Sequence, residues 1–191
     1  MERMKVYLMA VQFDEAQMLE MEKTITEFFK KNDMNVTIPV DVFEVASSLG
    51  FDVRGAEFDE PLEGILLVNE KVDKITGFNS NKIIAYNCKK NIHLKKFIVA
   101  HELAHYIYAK NDSFDKKIVL AARDHEESYS SDVDEQKMDY MAASILMPRD
   151  DMLENFSNKD TDRTELINLV TARYNVSFKM ADRRVGEVLN G

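Results

Sequence analysis

The chain has 191 residues, of which 45% are hydrophobic and 31% charged, with a net charge of −9. Those proportions are globular: they exclude wholesale disorder and fibrous classes and fit one compact domain with a real core. The acidic balance argues against a nucleic-acid binder, because neutralising phosphates needs a basic surface.

At the start, "MERMKVYLMAVQFDEAQ" is apolar only from Val6 to Val11. That is too short for a secretory leader and has no small-residue cleavage site. No later run reaches the roughly 20 apolar residues that cross a bilayer, so a cytoplasmic protein without a membrane span is expected. Cys88 is the single cysteine, so an intrachain disulfide is ruled out and a small, buried or half-buried thiol in a reducing compartment is expected.

Residues 14–31, "DEAQMLEMEKTITEFFKK", space Met18, Met21, Ile25, Phe28 and Phe29 by threes and fours between an acidic start and a basic end. This pattern predicts an amphipathic helix. A second, short helix fits residues 40–49, with Gly50 in the left-handed position that ends it. Short β-rich runs follow at 51–53, 65–68, 75–78 and 82–86, which suggests an antiparallel meander.

A helix from Asn91, its N-cap, to about Tyr108 follows the sheet. It carries "HELAH", His101 to His105, and is apolar nearly all round, so it should be buried. Residues 111–131 turn polar and read as a loop, broken by one short helix at "KKIVLAA". A helix from about Asp134 to Met147 is stopped by Pro148. Three short helical segments complete the chain, with Asp162 and Glu165 as a capping box for the second and Ser177 as N-cap of the third.

Chemistry concentrates in HELAH, which arises by chance in fewer than about one shuffled chain in a hundred. Residues four apart on a helix point the same way, so His101 and His105 can grip one ion while Glu102, turned aside, can hold a water. A catalytic Zn2+ with two histidines takes a third protein ligand, and Glu135 on the following helix is the preferred candidate. Asp139, one turn further on the same face, can accept a hydrogen bond from the second nitrogen of a liganding histidine. Met138, Ala142 and Ile145 would pack the two helices together. Glu102 then acts as general base and passes a proton to the leaving amine. His125 and Tyr129 both qualify as oxyanion stabilisers, and the sequence does not choose between them.

The pair "FIVAHELAHYI" and "DEQKMDYMAASILMP" resembles the ImmA/IrrE family of metallopeptidases, with the likeness running over residues 38–152. The resemblance implies an α+β, zincin-like fold in which a small antiparallel or mixed sheet packs against the HExxH helix and further helices. It implies zinc on His101, His105 and Glu135 with Glu102 as base. It also implies a zinc metallo-endopeptidase whose protein substrate is a helix-turn-helix transcriptional repressor of a mobile element or stress response. Ala104, Lys137, Met138, Asp139 and Met141 depart from the family pattern, and Lys137 near the site could alter its electrostatics.

The expected layout is a single metallopeptidase-like domain over 1–191. It comprises an N-terminal helix at 14–36, a catalytic core at 38–152 and a C-terminal helical appendage at 153–191. The competing class is a DNA-binding or protein-binding regulator whose zinc site is structural or degenerate. It draws on the helix pair around "RYNVS" and on Arg163, Arg173, Lys179, Arg183 and Arg184.

Overall fold

The computed structural model describes residues 13–59, 62–68, 80–111, 121–122, 133–157 and 160–189. Helix α1 (Glu15–Lys31) begins at a capping box in which the Asp14 carboxylate accepts from the Gln17 N–H at 2.8 Å and the Gln17 side chain accepts from the Asp14 N–H at 3.0 Å. Its apolar stripe buries Met21 and Ile25, with Met18, Phe28 and Phe29 packed on the core from the side. Helix α2 (Val42–Ser48) is capped by Asp41. It ends where Gly50 adopts φ of 85°, a conformation that a Cβ would strain.

Among the described residues the sheet has four strands: β1 (Asp52–Ala56), β2 (Gly64–Val68), β3 (Lys82–Asn87) and β4 (Ala121–Ala122). Their order is β1-β3-β2-β4. The expected antiparallel meander is therefore corrected to a mixed sheet. β3 lies between β1 and β2, parallel to β1 with Asp52 opposite Ile83, and antiparallel to β2 with Gly64 opposite Tyr86. The central place suits the continuous apolar run Ile83, Ile84 and Ala85, all buried, because a central strand has little polar exposure. Of the helix expected at "KKIVLAA", Ala121 and Ala122 instead pair with Leu66 and Ile65 as β4. A strand edge offering unpaired backbone groups outweighs the helix propensity of two alanines. The other expected strand, at 75–78, lies outside the described residues.

Helix α3 (Ile92–Asn111) is capped by Asn91, whose side chain accepts from the Leu94 N–H at 3.0 Å. It packs on β2 and β3 on one side and on helix α4 (Val133–Leu146) on the other, with α1 touching both helices. Ile98, Val99, Ala100, Leu103, Ala104, Tyr106 and Ile107 are all buried, as expected for a helix apolar on most sides. Met138, Ala142 and Ile145 of α4 are buried too. Cys88, by contrast, is exposed, because β3 ends at Asn87 and the thiol falls in the turn that follows.

Helices α5 (Arg149–Phe156), α6 (Arg163–Tyr174) and α7 (Phe178–Leu189) follow Pro148. Asp162 caps α6 by accepting from the N–H groups of Thr164 and Glu165, while the Glu165 carboxylate accepts from Thr161 rather than closing the box. Asn175 ends α6 in the left-handed region, and the Ser177 hydroxyl accepts from the Met180 N–H at the start of α7. Among the described residues, no helix is long and apolar enough to cross a membrane.

Candidate metal centre

The site is built by the α3–α4 pair. One helical turn separates His101 from His105, so their rings project from the same face with centroids 4.8 Å apart. One turn likewise separates Glu135 from Asp139 on α4. Glu135 meets both imidazoles, and Asp139 meets His101. The two histidines, the glutamate and the aspartate singled out by spacing are thus brought together in space.

Asp139 Oδ1 lies 2.9 Å from His101 Nδ1. A carboxylate can only accept, so Nδ1 carries the proton and Nε2 turns its lone pair toward the centre. There His101 Nε2 is 3.0 Å from His105 Nε2 and 3.3 Å from Glu135 Oε2, while His105 Nε2 is 3.4 Å from Glu135 Oε1. Two ring nitrogens facing each other beside a carboxylate demand a positive charge between them, either a proton or a cation. With that positive charge in place, first His101 and then His105 hold the Glu135 carboxyl well below the usual carboxylate range, against the opposing push of burial.

The triangle has the size of a metal site. Donors at the usual zinc distances and tetrahedral angles stand roughly 3.3 Å from one another, which matches the 3.0, 3.3 and 3.4 Å edges. His101, His105 and Glu135 also form a group whose ligand atoms all lie within 4.8 Å of one another. Two imidazoles and a carboxylate are a donor set suited to zinc.

Burial is graded across the centre. The side chain of His101 is 1% exposed, whereas those of His105, Glu135 and Asp139 are 23%, 28% and 30% exposed. The group therefore opens on the His105–Glu135 side and is closed behind His101, where the Phe97 ring lies 6.4 Å away. Glu102 is buried against the first strand residue of β2, with Gly64 beside its carboxylate. The Lys137 Nζ donates to Asp134 at 3.1 Å and lies 5.9 Å from the Tyr108 ring. His125 and Tyr129 lie outside the described residues.

The family described as Peptidase_M78, IrrE N-terminal-like domain, matches residues 52–185. The chain belongs to this family. As a Peptidase_M78 domain it has a metallopeptidase-like character, in keeping with the donor group on α3 and α4. Among solved structures, a Mycobacterium tuberculosis transcriptional regulator is similar, with a TM-score of 0.50 and 14% identity. At that identity the likeness speaks for the fold alone. The match covers 91% of this chain and 47% of the regulator, so the chain spans about half of that protein's length. A comparison with curated proteins finds no match.

Gly64 had no place in the reading of the sequence. The available signal was an isolated glycine opening the apolar run "GILLV", which marks a close approach in a strand.

Proposed function

We propose that this Peptidase_M78 protein is a cytoplasmic, zinc-dependent endopeptidase that hydrolyses a peptide bond in a protein partner. The partner class is a helix-turn-helix transcriptional repressor. The observation that carries the reading is the convergence of His101, His105 and Glu135 within zinc-sized distances, with the buried Glu102 adjoining His101 in sequence. Residues 14–36, 38–152 and 153–191 act as one unit around that centre.

In this reading His101, His105 and Glu135 hold the ion, and Asp139 fixes the ring of His101 through Nδ1. When bound, zinc supplies Lewis acidity toward the scissile carbonyl and toward a water in the position left open by three protein ligands. Glu102 accepts the proton of the attacking water and delivers it to the leaving amine nitrogen, so one carboxylate is base and then acid. Its burial removes competing solvent from that carboxylate. The more exposed His105–Glu135 side is where a peptide enters.

The competing reading places a DNA-binding surface on α6 and α7. Its arginines are engaged within the protein: Arg163 with Asp182, Arg173 with Asp151 and Arg183 with Glu187, while Arg184 is fully buried. Each of these paired arginines stands beside a carboxylate that offsets its charge, which disfavours phosphate binding and favours the peptidase.

Zinc content after exhaustive dialysis, compared between the parent and Glu135→Ala, tests the ligand set. One zinc per chain in the parent and loss in the variant is expected. A parent that takes up no zinc even after reconstitution makes HELAH a relic and overturns the proposal. Glu102→Gln should keep the metal and abolish cleavage of a repressor encoded beside this chain. Retained cleavage would refute the role of Glu102.

A further inference from the structure

We infer that Gly64 is a positioning residue for Glu102, held as glycine by space and not by backbone conformation; the inference rests on the peptidase reading and deepens it. Gly64 is buried at the first position of β2, opposite Tyr86. Among the described glycines only Gly50 has a positive φ, so Gly64 has a backbone that other residues can adopt. What forbids a side chain there is the helix above it.

A Cβ at Gly64 would stand 2.6 Å from Ile98 Cγ2 and 2.8 Å from Glu102 Oε1, with the Ala85 carbonyl oxygen at 3.5 Å. The first two distances are ones that real Cβ atoms essentially never show, so something must shift. Ile98 and Glu102 sit one turn apart on α3, both buried, so the helix presents two side chains to one strand residue. The pair respond differently to pressure from below. Ile98 is β-branched, and in a helix its χ1 has one strongly preferred rotamer, so its Cγ2 cannot swing aside. The Glu102 carboxylate ends a flexible chain and is the group that must retreat, by roughly 0.6 Å to reach ordinary contact.

The consequence is selective. The three atoms nearest the added methyl belong to Ile98, Glu102 and Ala85, and none belongs to His101, His105 or Glu135. Of the site's side chains, the proton-carrying carboxylate is the one pressed directly. A general base must lie within hydrogen-bond reach of the proton it abstracts, and displacements near 1 Å can cost about a hundredfold in rate. Gly64 is therefore a feature of the reaction geometry contributed by the sheet, 38 residues before the carboxylate it serves.

Gly55 in β1 provides a matched comparison. Its added Cβ would meet Cys88 Cβ at 3.2 Å and the Tyr86 ring at 3.4 Å, a milder crowding that involves no site residue. Gly64→Ala and Gly55→Ala both insert one methyl into a strand of the same sheet, so any difference between them reports on the neighbours.

The experiment combines three readouts on the full chain. Zinc stoichiometry should be unchanged in Gly64→Ala. Its kcat for cleavage of the repressor should fall on the order of 10- to 100-fold with KM within about threefold, whereas Gly55→Ala should keep both. The third readout is a double-mutant cycle in urea on the metal-free protein, which isolates the Gly64–Glu102 contact. The midpoint shift caused by Gly64→Ala should be at least twice as large in the parent as in a Glu102→Ala background. Equal shifts in the two backgrounds would mean that Gly64 serves only Ile98, and would overturn the inference. Where Gly64→Ala alone fails to fold, the same cycle is run in an Ile98→Ala background, which relieves the hydrocarbon clash and leaves the carboxylate contact. A parent without zinc or without cleavage sinks the peptidase reading, yet the urea cycle still decides whether Gly64 and Glu102 are coupled.

Discussion

At the scale of single residues, the centre depends on which ring nitrogen carries a proton. Asp139 accepts from His101 Nδ1 at 2.9 Å, and that contact both selects the tautomer and raises the basicity of Nε2. Removing it with Asp139→Ala should weaken zinc binding by about 10- to 100-fold, read by competition against a chelator of known affinity. An affinity within twofold of the parent would show that packing around the buried His101 orients the ring unaided. These contacts were legible in the sequence because each lies on a helix, where a spacing of four fixes direction without knowledge of the fold. Asp139 and Glu135 share a face for the same reason as His101 and His105. Gly64 was not legible, since its partner stands across a strand-to-helix packing boundary and no local period connects them.

At the scale of elements, the helices other than the short one expected at "KKIVLAA" were readable to within a few residues because caps and apolar stripes are local. Asp14, Asn91, Asp162 and Ser177 each hold an N-terminus. Strand order was not readable. The insertion of β3 between β1 and β2 is a pairing between distant segments, and a period of two is the same for parallel and antiparallel neighbours. A further long-range tie joins α5 to α6. Asp151 accepts from Arg173 Nε at 2.7 Å, again from Arg173 Nη2, and from the Tyr174 hydroxyl. The Arg173 guanidinium, followed by the Tyr174 hydroxyl, holds the Asp151 carboxyl below its ordinary value against partial burial. A depressed carboxyl binds its proton more readily when unfolded. Its stabilising contribution is therefore complete above the unfolded pKa, near 4, and is lost as pH falls through the lower folded one. Asp151→Asn should reduce stability at neutral pH and flatten its decline in acid, measured by urea unfolding from pH 7 down to pH 3. An unaltered acid slope would show that the ion pair does not couple protonation to folding.

At the scale of the whole molecule, α1 and α7 are both pinned to the helix that bears Glu135 and Asp139. Arg184 of α7 is fully buried; its guanidinium donates to Glu22 of α1 at 2.8 Å, to the Met147 carbonyl at 3.1 Å and to Glu187 at 3.4 Å, and lies 5.0 Å from the Tyr140 ring of α4. The Tyr140 hydroxyl donates to the same Glu22 oxygen, and burial pushes its phenol up to about 12, so it stays a donor at ordinary pH. Glu22 and Arg184 are 162 positions apart, a separation at which no sequence pattern announces a contact. That distance is why Arg184 read as part of a cationic surface when it is part of the core. Truncating one member of such a group leaves the other charge uncompensated, at a cost of about 3–5 kcal/mol. For a chain of this length, that corresponds to a fall in Tm of about 10 °C. Arg184→Met should show this loss. Arg184→Met with Glu22→Gln should recover part of it, because the neutral amide no longer needs the guanidinium. A single variant melting within about 1 °C of the parent would show that the group adds no stability. The same geometry dictates how DNA binding is to be tested. Neutralising Arg184 would destabilise the protein and confound a loss of binding, so the exposed Lys179 and Arg183 are the residues to change. Duplex binding that survives their replacement by alanine would have to come from a surface other than α7.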